Sequence, residues 1–226
     1  MRLSAALAFL IFAACGRVDY DKLPEGGRFE GQVFLIWLSD GDDEQGRFLF
    51  LPNPDDPFRF VRAGAGPYQT VTPGAIYTNG GSIPRLAQVF RGFSPWGYGP
   101  AYVIHDWLYH ARQCFNAGMG GDLQPGIDTM PFQTSADILG EAIRSLIASH
   151  RVTDRDVAPA AITSAVAGPI SYRLWTKGTN CEVVPAADLE RAYATLPARP
   201  KALPKSARIA RTPAAGEARL VSTITF

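Results

Sequence analysis

The chain has 226 residues and a formal net charge of +1, and 46% of its residues are apolar against 19% charged. This apolar fraction excludes wholesale disorder, and a near-neutral chain without a basic stripe is not expected to bind nucleic acid. After its N-terminal run the chain has no second apolar stretch long enough for a transmembrane helix. The remaining length, about 210 residues, is sufficient for one domain with a real core.

The first fifteen residues are typical of an export signal. An unbroken apolar run extends from Leu3 to Ala14 and is followed directly by Cys15. The run is shorter than the roughly 20 residues that a membrane-spanning helix needs, but it fits the apolar part of a signal peptide. We therefore predict a signal peptide over residues 1–15.

The cleavage site of this signal resembles a bacterial lipobox, whose cysteine is lipidated and becomes the mature N-terminus. The resemblance implies a lipid anchor at Cys15 and a location on the periplasmic side of the cell envelope. Gly16 favours the outer membrane over the inner one as the final location. Phe12 stands where an aliphatic residue is usual, so cleavage by an ordinary signal peptidase, without lipidation, stays open as the alternative.

The N-terminal half of the predicted domain consists of short strands. Residues 16–27 are polar and are predicted to form a tether between the lipid and the domain. Beyond them, runs rich in Phe, Val, Ile and Tyr alternate with turn-forming clusters, a spacing typical of antiparallel strands rather than βαβ crossovers. The predicted strands are Arg28–Leu38, Arg47–Leu51, Phe58–Arg62, Tyr68–Val71 and Ala75–Thr78.

The second half has helical periodicity. Apolar residues recur at helical spacing in segments after Gly81, so the sequence predicts an α+β fold with one globular domain over residues 28–197. The basic, Pro- and Ala-rich residues 198–226 predict a flexible tail, whose last run could add an edge strand. The predicted helices are Gly99–Phe115, Ser135–Ser149, a third that is interrupted near Gly168-Pro169 and resumes through Trp175, and Ala186–Leu196.

Two cysteines remain if Cys15 carries lipid. Cys114 and Cys181 form an even pair, which in an oxidising compartment predicts a disulfide. Closure of that long loop would stabilise the fold by roughly 4 kcal/mol in the chain-entropy model. The alternative is a metal site at His110 and Cys114, which lie one helical turn apart, although no further ligands cluster with them.

The residues that could carry chemistry lie in three separated motifs, which begin at Thr78, His105 and Ala136. Adjacent helical residues project about 100° apart, so Asp106 cannot orient the His105 imidazole. If His105 is a general base, a different carboxylate must orient it, and Asp137 on the next helix is the candidate if the two helices pack antiparallel. Tyr109 shares a face with His105 and could donate its hydroxyl to the same carboxylate.

This arrangement leaves Asp106 free to face the turn Asn79-Gly80-Gly81. Paired glycines allow backbone carbonyls to converge, and hard oxygen ligands of this kind suit calcium. The sequence therefore predicts a calcium site formed by Asp106, Asn79, Gly80 and Gly81.

The three motifs together resemble a family of bacterial and phage proteins catalogued as domain of unknown function 1353. That family is characterised by a Thr-Asp-Gly-Ala-Ser-x-Pro-Arg loop, a His-Asp-x-Leu-Tyr helix and an Ala-Asp helix. The segments Thr78–Arg85, His105–Tyr109 and Ala136-Asp137 match that order, so the resemblance covers roughly residues 28–148. The family name implies no activity.

A more distant resemblance is to secreted phospholipases of the A(2) type, which carry a His-Asp pair after a Gly-rich calcium loop and an Asp on the following helix. It implies an antiparallel helix pair with His105 as the base, Asp137 as its orienter, Asp106 as a calcium ligand and Tyr109 as support. Calcium would polarise the ester carbonyl and stabilise the oxyanion. Asn79 departs from the Asp of the closer family, and the cysteines that staple phospholipase helices are absent apart from Cys114.

Two functional interpretations follow. The first is a calcium-dependent lipid or ester hydrolase that uses a His-Asp dyad at the membrane of the cell envelope. The second is a non-catalytic, phage-like binding or structural module that retains the His-Asp-Tyr motif for packing, since buried polar pairs often only satisfy each other. The sequence leaves both open.

Overall fold

The computed structural model describes residues 18–39, 46–64, 66–78, 98–120, 123–152, 158–198, 201 and 216–226. Strands lie mostly in the first half and helices in the second, which confirms the predicted α+β class. The strands are β1 (Arg28–Glu30), β2 (Gln32–Leu38), β3 (Arg47–Pro52), β4 (Arg59–Val61), β5 (Thr70–Val71), β6 (Ile76–Thr78) and β7 (Ala218–Thr225). The helices are α1 (Gly99–Asn116), α2 (Phe132–Ala148), α3 (Ala158–Val166), α4 (Pro169–Lys177) and α5 (Ala186–Ala194).

The strands form two antiparallel sheets, with strand orders β1-β4-β5 and β6-β3-β2-β7. Alternate residues of a strand point to opposite faces, and β2 buries both of its faces. Val33 and Leu35 pack into the main core with α1 and α2, whereas Phe34 and Ile36 pack into a second cluster with α5. The four-stranded sheet is therefore covered by helices on both sides.

Gly31 separates the two sheets. The sequence suggested one strand over Arg28–Leu38, but Gly31 has φ +82°, a conformation that L side chains rarely adopt. A Cβ atom there would overlap the carbonyl oxygen of Pro57. The chain turns at this glycine, so that β1 pairs with β4 while β2 pairs with β3.

The helices follow the predicted boundaries closely, with one shift. The predicted interruption at Gly168-Pro169 separates α3 from α4, because proline cannot continue the hydrogen-bond ladder of the preceding turn. The second helix begins at Phe132, after Pro131, rather than at Ser135. Pro131 has an extended backbone, and α2 begins at the next residue. No side chain of the described residues caps the N-terminus of α2.

Parts of two segments that were predicted to lie outside the domain, the tether and the C-terminal tail, pack against it. Residues 18–27 were expected to belong to a tether, but Val18 is buried against Ala136 and Ala167, and a short 3-10 helix covers Tyr20–Lys22. The tail predicted over 198–226 ends in β7, which pairs with β2 along the sheet edge. The edge strand that the sequence suggested for this last run is therefore present, and its backbone groups complete those of β2.

The predicted signal peptide over residues 1–15, with Cys15, lies outside the described residues. Within the described part of the chain, none of the helices combines the length and the apolar character that crossing a bilayer requires.

Candidate functional site

The candidate site lies on the second turn of α1, where the strand β6 reaches the helix. Ile104 and Leu108 on this helix are fully buried in the main core, which fixes the rotation of α1 about its axis. His105 and Asp106 are half-buried, and they lie at the margin of that core. The core thus positions two neighbouring titratable side chains without enclosing them completely.

The His105 ring is neutral and one of its nitrogens has no partner. Its Nε2 atom is buried and has no hydrogen-bond partner among the described residues, and burial lowers the pKa of His105 to about 4. The ring lies against Tyr109, with 4.6 Å between the ring centroids. A neutral imidazole whose nitrogen is free can accept a proton from a bound water, or it can donate to a ligand in the other tautomer.

Asp106 lies in a different environment from its neighbour. Burial raises the pKa of Asp106 to about 7, while a hydrogen bond from Thr78 at the end of β6 opposes that rise. Between about pH 4 and 7 both His105 and Asp106 are therefore largely uncharged. Thr78 directly precedes the turn that was expected to face Asp106.

The other three predicted calcium ligands, Asn79, Gly80 and Gly81, lie outside the described residues. Among the described residues, Asp106 is the one member of the predicted ligand set, and its hard carboxylate oxygens suit calcium in kind. A cation beside this carboxylate would favour its ionised form, which burial alone disfavours. The donor chemistry of Asp106 thus fits calcium, which would need further oxygen ligands to complete its shell.

Tyr109 makes a different hydrogen bond from the expected one. Its hydroxyl donates to the backbone carbonyl of Ser171 on α4, at 3.3 Å, and not to Asp137. Its ring packs edge-on against Trp175, with centroids 5.3 Å apart, and burial raises the pKa of Tyr109 to about 12. The contact of α1 with α4, which the motif pattern did not show, takes the hydroxyl that was expected for the carboxylate.

Asp137 makes its hydrogen bond within α2. Its carboxylate accepts a hydrogen bond from Gln133 one turn earlier on α2, at 2.9 Å, and no hydrogen bond or ion pair joins it to His105 among the described residues. The neighbours Ser135 and Ala136 are fully buried, so Asp137 falls on the half-exposed side of α2. The expected orienting contact is absent because of this helix rotation, which sequence periodicity left undetermined.

Asp137 instead lines a surface groove of about 490 Å³. The groove lies between the β4–β5 connection and the start of α2 and combines Asp137 with Arg62 and the ring of Tyr68. Arg62 is also bound to the buried Glu141, with 2.8 Å between Nε and Oε2. Nothing in the sequence spacing of Arg62 and Asp137 indicates that both line one groove.

The predicted disulfide forms between Cys114 on α1 and Cys181 in the segment between α4 and α5. The alternative metal pair is also close in space, since His110 Nε2 lies 3.6 Å from Cys114 Sγ. With the two sulfurs bonded to each other, neither Cys114 nor Cys181 offers a thiolate to a metal in the oxidised chain.

Comparison with protein-family models, curated proteins and solved structures gives no match. The resemblances drawn from the three motifs therefore stay predictions.

Proposed function

We propose that this protein is a lipid-anchored protein of the cell envelope whose α1 site hydrolyses esters, with phospholipids as the substrate class. The observation that carries the proposal is the buried, neutral and unpartnered Nε2 atom of His105. A buried nitrogen without a hydrogen-bond partner costs free energy, so a group that bonds to it is bound favourably. A water molecule or a substrate group is the partner that a general base requires.

In the proposed reaction, His105, Asp106 and Tyr109 have separate roles. His105 takes the proton of the attacking water, and its low pKa keeps it in the basic form throughout the neutral range. Asp106 provides a carboxylate once it is ionised, and calcium held there would polarise the ester carbonyl. Tyr109 fixes one side of the imidazole through the ring contact, in place of the carboxylate that orients a catalytic histidine in a triad.

A second function is supported by a different observation. Tyr109 and Asp137 are both satisfied elsewhere, by Ser171 and by Gln133, so the expected His-Asp-Tyr constellation is not assembled. This favours a non-catalytic, phage-like module in which the motif residues join helices to one another. The groove beside Asp137 would then be the surface available to a ligand.

Phospholipid hydrolysis by the full chain separates the two functions. Vesicles of several lipid classes are incubated with the protein in calcium and in chelator, and released fatty acid is measured. We expect release that requires calcium and that falls about 100-fold or more in His105→Gln, the loss typical of a general base. His150→Asn is the matched control, because His150 is exposed and its φ of +56° is one that asparagine tolerates.

Absence of release from every lipid class, with a folded protein, would refute the hydrolase and leave the non-catalytic module. Equal release by His105→Gln and the unaltered chain would refute the role of His105 alone. The anchor is tested independently by mass spectrometry of the protein from envelope membranes, in which Cys15→Ser should remove the lipid. Persistence of the acyl mass in that variant would exclude Cys15 as its site.

A further inference from the structure

A cluster of three soft-metal ligands surrounds the disulfide. His110 and Cys114 lie one turn apart on α1, and Cys181 approaches them from the segment between α4 and α5. One ligand atom from each of these three side chains lies within 4.8 Å of the other two. The sequence offered only the pair on α1, since the third ligand comes from 67 positions further along the chain.

The spacing within this cluster matches metal coordination. Zinc lies about 2.3 Å from a cysteine sulfur and about 2.0 Å from a histidine nitrogen, so a tetrahedral angle puts these two atoms about 3.5 Å apart. His110 Nε2 and Cys114 Sγ are 3.6 Å apart in the oxidised chain. Two of the three ligands are thus already at coordinating separation before any metal is bound.

We propose that reduction of the Cys114–Cys181 disulfide creates a binding site for Zn²⁺, formed by two thiolates and the His110 imidazole. A dithiol supplies the two electrons and two protons of the reduction and is itself oxidised to a disulfide. Zinc then displaces both thiol protons to solvent and binds the sulfurs and Nε2. One tetrahedral position stays open to water, because three protein ligands meet there.

The surrounding structure permits the small movement that this exchange needs. The two sulfurs must separate to somewhat under 4 Å, as two thiolates on one zinc ion do. Cys114 is held rigidly on α1 and is fully buried, but Cys181 is half-buried in a stretch without helix or strand. Cys181 can therefore make the movement.

Two hydrogen bonds hold the segment that carries Cys181 beside α1 after reduction. Asn116 donates from its side-chain amide to the carbonyl of Gly178, and Gln113 accepts from the backbone of Asn180. Cys181 thus stays near α1 without the covalent bond. Zinc would then cross-link α1 to this segment in the reduced chain, as the disulfide does in the oxidised chain.

Cobalt is the probe that reports thiolate ligation directly. The full chain with Cys15→Ser has only the two relevant cysteines; it is reduced with excess dithiol, freed of the dithiol without air and titrated with Co²⁺. We expect one equivalent to give the thiolate-to-cobalt charge-transfer absorption, and Zn²⁺ to displace it. The oxidised chain should give no such band.

Variants test the histidine ligand and the pair of cysteine ligands separately. His110→Ala should lower the affinity for Co²⁺ about tenfold or more, whereas His150→Asn should leave it unchanged, since His150 lies outside the cluster. The double variant Cys114→Ser and Cys181→Ser should bind no Co²⁺ with thiolate absorption. Absence of the band from the reduced Cys15→Ser chain, or a band that His110→Ala does not weaken, would overturn the proposal.

A melting experiment covers the case in which reduction unfolds the chain. Zinc ligation is coupled to folding, so Zn²⁺ should raise the melting temperature of the reduced chain or restore its folding transition. The oxidised chain should show no comparable shift. A reduced chain whose melting is unaffected by Zn²⁺ contradicts the proposal, whether or not that chain is folded at the outset.

Discussion

Thr78 donates a hydrogen bond to the carboxyl group of Asp106 across the junction between β6 and α1. The bond joins the last residue of the sheet's edge strand to the helix that carries the candidate site. It stabilises the ionised carboxylate, yet burial outweighs it and leaves the pKa raised to about 7. The free energy of unfolding should therefore depend on pH through this side chain.

Asp106→Asn should make the fold more stable at neutral and alkaline pH, because it removes a carboxyl group whose ionisation destabilises the folded chain. The pKa of Asp106 is about 7 in the folded chain against an ordinary value of 3.8, so the folded chain binds more protons between these values. The free energy of unfolding then falls as the pH rises through this window and stays level above it. We expect Asp106→Asn to be more stable than the unaltered chain at pH 8, by about 2 to 4 kcal/mol.

Urea unfolding at pH 4 and at pH 8 measures this difference, with chelator present throughout. Calcium added at pH 8 should then restore stability to the unaltered chain and not to Asp106→Asn, if the carboxylate is a ligand. Parallel pH profiles for the two chains would contradict the raised pKa of Asp106.

His105 contributes to the pH dependence of the free energy of unfolding with the opposite sign to Asp106, and His105→Gln should remove that contribution. The pKa of His105 is lowered to about 4 from 6.5, so the unfolded chain binds more protons between these values. The His105 contribution is fully present above about pH 6.5 and is lost as the pH falls toward 4. The His105 contribution therefore offsets the Asp106 contribution in the unaltered chain. The free energy of unfolding of that chain should be nearly independent of pH between about 4 and 6.5, where both contributions change.

Chemical unfolding of His105→Gln across pH 4 to 7 checks this offset. With only Asp106 left, stability should decrease steadily as the pH rises, whereas Asp106→Asn should become more stable over the same range. His150→Asn is the control, and its profile should follow that of the unaltered chain because His150 is exposed. Identical slopes in His105→Gln and this control would show that His105 titrates normally.

Arg62→Ala should destabilise the fold strongly. Arg62 Nε lies 2.8 Å from Glu141 Oε2, and the Glu141 side chain is only 1% exposed. The other carboxylate oxygen accepts from the backbone of Ala63, at 2.7 Å. Removal of the guanidinium leaves a buried carboxylate without its counter-charge, which typically costs about 3 to 5 kcal/mol.

Denaturant midpoints measure the cost, and an exposed ion pair supplies the control. Arg219 binds Glu217 at 2.9 Å, but both side chains are more than half exposed, so Arg219→Ala should cost less than about 1 kcal/mol. Double replacement of Arg62 and Glu141 by Met and Leu should recover much of the stability, because no buried charge is then unpaired. Equal losses in Arg62→Ala and Arg219→Ala would show that Glu141 is not buried as described.

The sequence predicted those parts of the fold that depend on local signals. The apolar stripe of α1 and the Gly168-Pro169 break are properties of neighbouring residues, and both are found in the structure. The pairing of β7 with β2 joins residues 180 to 193 positions apart, and periodicity carries no information about such partners.

In the candidate site, too, the sequence predicted the features that depend on neighbouring residues and not those that depend on how the helices pack. The placement of His105 and Asp106 on α1 follows from the local pattern. The direction of Asp137 and the acceptor for Tyr109 depend on how α2 and α4 are rotated against α1. A rotation by one residue on a helix moves a side chain by about 100°, which is enough to separate Asp137 from the His105 ring.

Gly31→Ala should test the turn that separates the two sheets. Gly31 has φ +82°, and a Cβ atom there would overlap the backbone oxygen of Pro57, which cannot move as a flexible side chain could. Gly64 is a matched control, because it has nearly the same φ, +78°, and none of the described residues apart from its chain neighbours lies within 4 Å of a Cβ atom there. Gly64→Ala should cost about 1 kcal/mol from backbone strain alone, and Gly31→Ala roughly 3 kcal/mol or more.

Thermal and urea unfolding of both variants gives the two costs, and their difference isolates the contact with Pro57 from the strain that they share. Gly31 also accepts a hydrogen bond from the backbone of Phe226, so displacement of this turn should loosen the C-terminal end of β7. Amide hydrogen exchange near Phe226 should therefore accelerate in Gly31→Ala and not in Gly64→Ala. Equal costs for the two variants would mean that the chain avoids Pro57 by a movement of the turn, and β1 and β2 would then not be separated by this contact.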